Sequence, residues 1–98
     1  MGKIRRLVLD VMKPHDPSML EVAERVSEEE SVGGVNASMY EVDEKVENIK
    51  MTVEGKDVDF SAVRTVIEDM GGSVHSVDEA ICGGDVVEES KTPQDYSS

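Results

Sequence analysis

Apolar and polar residues alternate from the start of the chain. Leu7, Leu9 and Val11 share one parity, and Arg6, Val8, Asp10 and Met12 the other. A strand sends two such sets to opposite faces of a sheet. One apolar face and one mixed face is the pattern of a central strand in a sheet covered by helices on one side only. Lys13-Pro14 ends this strand, because proline has no N–H for a ladder and biases its predecessor toward extended geometry. His15-Asp16-Pro17 then opens a helix over Pro17–Glu29, with Asp16 as N-cap and Pro17 at the first helical position. Met19, Leu20, Val22, Ala23 and Val26 fall on its inner face, and Glu21, Glu24, Arg25 and Glu28 on its outer one.

The remaining chain repeats the theme. Val35–Glu41 alternates with Val35, Ala37 and Met39 inward, Asp43-Glu44-Lys45 is a polar hairpin loop, and Ile49, Met51 and Val53 mark a third strand ending at Glu54. Asp59 caps a helix over Phe60–Met70 whose inner face is Phe60, Val63, Val66, Ile67 and Met70, and Gly71-Gly72 stops it. Ser73–Cys82 is a last strand of weaker alternation, with Val74, Val77, Ala80 and Ile81 as its apolar content. Right-handed crossovers interleave the two strand–helix–strand halves. The fold class is therefore α+β, a ferredoxin-like split βαβ sandwich (βαββαβ). Its four-stranded antiparallel sheet has order 4-1-3-2, with two helices on one face. The domain spans residues 3–84, and residues 85–98, acidic and sparse in apolar side chains, form a tail expected to be disordered.

Composition narrows the partners. Ninety-eight residues make one modest core, and a net charge of −12 turns away nucleic-acid phosphates and anionic membranes. The central strands also lack the stacking aromatics with which this fold's open face binds RNA. One cysteine, Cys82, fits a reducing compartment, and no apolar run is long enough to span a bilayer, so a cytoplasmic protein is expected.

Taken in order, the blocks IRRLVLDVMKPHDP, GVNASMYEVD with ENIKMTVEG, the Asp59-Phe60 helix opening and GGSVHSVDEAICG resemble an archaeal family known only as domain of unknown function 211. The likeness covers Lys3 to Gly84 and leaves the acidic tail as a departure. It implies the ferredoxin-like fold and cytosolic homo-oligomers that can close into rings. It implies no activity and no catalytic residues.

Candidate chemistry rests on two groups and one face. Asp78 and Glu79, adjacent carboxylates expected on opposite faces of the last strand, could each give one ligand to calcium or magnesium, with a second subunit supplying others. His15, in the loop before the first helix, and His75, expected beside Met12–His15, are candidates for a ligand site. Arg6, Val8, Asp10, Met12 and Tyr40 share the open sheet face and read as a subunit interface, since charged pairs are mixed there with apolar side chains. The favoured function is a homo-oligomeric binding or regulatory module taking a divalent cation or small ligand between subunits. The alternative is an enzyme with an inter-subunit site built from His15, His75 and nearby carboxylates.

Overall fold

The computed structural model describes residues 2–90. Its elements run β1 (Ile4–Pro14), α1 (Met19–Ser27), β2 (Gly34–Val42), β3 (Val46–Glu54), α2 (Phe60–Asp69) and β4 (Ser73–Cys82). The sheet order is β2-β3-β1-β4, all pairs antiparallel, which is the split βαβ arrangement. As the alternation of β1 predicts, Leu7, Leu9 and Val11 join Ile49, Met51 and Val53 of β3 in the core, against Val22 and Val26 of α1 and Val63 and Ile67 of α2.

Two helix starts behave differently. Asp59 caps α2 as expected, its carboxylate accepting from the Ala62 N–H at 3.1 Å. At α1 the cap is Ser18 rather than Asp16, in a reciprocal capping box with Glu21. The sequence Ser18-Met19-Leu20-Glu21 carries that signature, and two paired donors outweigh what Asp16-Pro17 offers two residues earlier. The shift leaves Leu20 67% exposed, off the face assigned to it.

Edge strands depart most from simple alternation. β4 opposes β1 with an extra residue at Asp78, between the pairs Val8↔Glu79 and Leu9↔Val77, and another at His75, between Asp10↔Ser76 and Val11↔Val74. Each bulge advances the pattern by one, so Val74, Val77 and Ala80, three apart, all fall opposite core-facing residues of β1. That is why the strand's alternation is weak. On β1 the extra residue is Arg5, and on β2 it is Tyr40. Gly55 is needed where the chain leaves β3, because a Cβ there would run into the Ser31 carbonyl. Among the described residues no helix is long and apolar enough to cross a membrane.

Candidate functional site

The open face holds a broad concavity of about 1240 Å³. Arg6 and Val8 of β1, Asn36 and Ser38 of β2, and Lys50, Thr52 and Glu54 of β3 line it, as their register requires, with Asp78 and Glu79 of β4 on the far side. The bulge at Asp78 matters here. It puts Asp78 and Glu79 on the same concave surface, correcting the expectation of opposite faces. Asp78 accepts from the Ser76 hydroxyl at 2.7 Å, and Glu79 lies 3.6 Å from the Arg6 guanidinium.

Arg6 is the electrostatic centre of this face. It bonds Glu54 across the β1–β3 ladder and Glu88 at 3.0 Å, and these two carboxylates, Glu88 first, raise its pKa above an already high ordinary value. Glu88 belongs to the segment after β4, and so does Val86, which lines the concavity. Arg5 holds the start of that segment by donating to the Gly84 carbonyl at 2.7 Å. Part of the expected tail thus lies on the open face, while residues 91–98 fall outside the described residues.

The five residues assigned to an interface all lie on this side, and two of them, Tyr40 and Asp10, bond each other. Tyr40 donates to Asp10 at 2.5 Å, and that bond, followed by burial, pushes the phenol up to about 12. Val8 is buried, and Met12 is half-buried. Val42 and Tyr40 remain more than half exposed at the C-terminal end of β2.

A second cluster was not anticipated. Lys13 shares the parity of Leu7, Leu9 and Val11, so its side chain goes under the helices; it is 1% exposed. Directly across the ladder is Glu47, on the parity of Ile49, Met51 and Val53. The Lys13 ammonium donates to Glu47 Oε1 at 2.8 Å and to the Pro14 carbonyl. His15 closes the group: Nδ1 meets Glu47 Oε2 at 2.9 Å and Nε2 meets the Glu44 carbonyl at 3.1 Å. Both ring nitrogens face acceptors, and only the imidazolium can donate to both. Glu47 above all, then the Glu44 carbonyl, holds the His15 pKa above its ordinary value. Glu47 is lowered by Lys13 and then by His15. In the hairpin turn, Asp43 accepts from the Lys45 and Val46 amides, which lower its pKa too.

The two histidines do not share a site. His15 turns toward β3 through Glu47, whereas His75 is the bulge residue on β4, on the opposite flank of β1 beside Asp10 and Val11. The expected approach of His75 to Met12–His15 ends one bulge short. Among the described residues, no three His, Cys, Asp or Glu side chains within one chain converge to hold a metal ion. Cys82 is exposed at the end of β4.

A family model described as uncharacterized ArCR, domain of unknown function 211, matches residues 5–96. An uncharacterized protein of Methanocaldococcus jannaschii is 43% identical over 95 residues, covering 97% of this chain and 98% of that protein. Both matches run well past Gly84. The acidic end is therefore within the family's span and not a departure from it.

Proposed function

We propose that the chain, which belongs to the domain of unknown function 211 family, is a homo-oligomeric binding module. Its open sheet face takes a divalent cation, calcium or magnesium, or a small ligand, with a neighbouring subunit completing the site. The observation that supports this most is the bulge at Asp78, which turns two successive carboxylates onto one concave surface. Calcium takes six to eight oxygens, more than Asp78 and Glu79 supply, so ligands from a second subunit are part of the reading. Charge favours it as well. Subunits of net charge −12 repel when brought together, and a shared cation removes that repulsion where carboxylates come closest.

The test is native mass spectrometry of the full chain with EDTA and with added calcium, alongside thermal melts. EDTA should lower the melting temperature or the subunit number, calcium should restore it, and Asp78→Asn with Glu79→Gln should blunt the response. A monomer would defeat the module itself. An assembly whose mass and melting are indifferent to chelator at low salt would remove the cation and leave the small-ligand form.

A further inference from the structure

Four of the chain's ten basic side chains, Arg5, Arg6, Lys50 and Lys56, line the open-face concavity. The bulge at Arg5 does for β1 what the bulge at Asp78 does for β4, turning two successive side chains onto one surface. Lys50 and Lys56 make no ion pair among the described residues. Over the arginines lies the segment that follows β4. The Gly84 carbonyl accepts from Arg5 at 2.7 Å, Glu88 meets Arg6 at 3.0 Å, and Val86 lines the concavity. That seat is imperfect. Arg5 Nε is buried without a hydrogen-bond partner, alone among side-chain atoms of the described residues. A buried donor left unpaired is costly, and few are tolerated. The Glu88 side chain is 67% exposed, on a stretch with neither helix nor strand.

We propose that the end of the concavity at Arg5 and Arg6 binds a small oxyanion, a phosphate or a carboxylate, and that residues 84–88 are its tethered competitor, with Glu88 standing in the ligand's place. This rests on the small-ligand reading of the open face and gives that ligand its charge. Guanidinium groups meet carboxylates and phosphates through parallel N–H donors, a match that two neighbouring arginines offer twice. Of the three carboxylates on Arg6, Glu54 and Glu79 are fixed on strands, and Glu88 is the one free to leave. A ligand that lifts the segment takes over the Arg6 donor and uncovers the Arg5 guanidinium, whose Nε the segment leaves unsatisfied. Four basic side chains then line the concavity against three acidic ones, Glu54, Asp78 and Glu79. The chain's net charge of −12 does not reverse that balance, because physiological salt screens exposed charges beyond about 8–10 Å. A long polyanion would run past that range onto the acidic surface, so the ligand is small.

The experiment is isothermal titration calorimetry of the full chain in metal-free buffer, with inorganic phosphate and, separately, with succinate. Arginine side-chain Nε–H resonances are followed alongside. The wild type should bind at least one of the two. Glu88→Gln should bind it at least about tenfold more tightly, since a short tether holds the competing carboxylate at millimolar effective concentration. A gain of this kind cannot come from misfolding. The Arg5 and Arg6 resonances should move while those of Arg25 and Arg64 stay. Arg6→Gln should lose at least about tenfold in affinity, and Arg64→Gln, on α2, should stay within about twofold. Phosphate and succinate taken alike mark a site for oxyanion charge, and a preference names which of the two it serves. Failure of both to bind, in wild type and in Glu88→Gln, overturns the site and leaves the cation form of the open face standing. Equal affinities in those two proteins overturn the tethered competitor, and shifts spread over all four arginines overturn the site as general ion screening. The binding needs neither a metal ion nor a second subunit, so a monomer that binds phosphate defeats the homo-oligomeric module and keeps this site.

Discussion

Two basic–acidic pairs clip β1 to β3, and they lie on opposite sides of the same ladder. Arg6 faces Glu54 near the start of β1, on the open face; Lys13 faces Glu47 at its end, beneath the helices. The intervals are odd, from 6 to 13 and from 47 to 54, so strand alternation alone puts one pair in the core layer and the other on the concave surface. Arg6 collects three carboxylates, Glu54, Glu79 and Glu88, at a solvated rim. Lys13 has one carboxylate and one carbonyl, and no solvent. A solvated pair can exchange partners at little cost. A buried one has no water to fall back on and holds the hairpin to the end of β1.

The largest effect should come from Lys13→Ala. It removes a fully buried aliphatic stem along with the ammonium, and should cost about 2–5 kcal/mol in urea denaturation, the range of a core Leu→Ala. Lys13→Met keeps the stem and loses the charge, so it should recover most of that loss. If the two variants were equally damaged, the ion pair and not the packing would be the stabilising part.

Next comes Glu47→Gln, which leaves the buried ammonium without its carboxylate. It should lower the urea midpoint by an amount little changed between low and high salt. Glu54→Gln, on the exposed pair, should do much less, and 1 M salt should erase the difference from wild type, since screening there reaches about 3 Å. A Glu54 effect as large and as salt-independent as that of Glu47 would break the distinction between the two pairs.

The pH dependence sharpens it further. The pKa of His15 is raised in the folded state, so the stability it adds is complete below its unfolded value near 6.5 and is lost as pH rises through the folded one. Glu47 is lowered, so its share is complete above about 4.5 and is lost as pH falls through its folded value. The clamp is thus strongest between the two. His15→Ala should flatten the fall in urea midpoint between about pH 6 and pH 9, and should soften the acid limb only in part, because Lys13, the larger cause of the lowered Glu47 pKa, stays in place. An unchanged alkaline limb in His15→Ala would show that the imidazole does not hold the loop. The smallest effect belongs to Tyr40→Phe. The lost bond is on an exposed side chain, so the midpoint should scarcely move, while phenolate absorbance in the wild type should rise only as pH approaches about 12.

Much of this was legible in the residues. The parity of Leu7, Leu9 and Val11 was enough to orient β1, and with the order of elements it gave the sheet. The same parity extends one step to Lys13. It was missed because a lysine before a proline reads as the end of a strand, and nothing local says that its charge has Glu47 for a partner 34 residues away. Ser18 was legible too, as the first residue of a capping box, and Asp16-Pro17 drew attention from it. The bulges were not legible. A bulge is decided by how two strands settle against each other, and in one sequence it shows only as spoiled alternation at Val74, Val77 and Ala80. The open-face candidates inherit that limit: Asp78 joined Glu79, and His75 parted from His15, through residues that alternation cannot count.

Burial of Lys13 gives the molecule a built-in reporter. The amines of Lys3, Lys45, Lys50 and Lys56 stand in solvent and will react with an acylating reagent at once. The amine of Lys13 can react only in the moments when the hairpin lifts away from the end of β1, so its labelling rate measures how often that happens. Acylation also takes away the charge that Glu47 and the Pro14 carbonyl hold, and adds bulk to a space that has none to spare. An opening caught in this way would not close again, turning a reversible fluctuation into a permanent mark that mass spectrometry can count one molecule at a time.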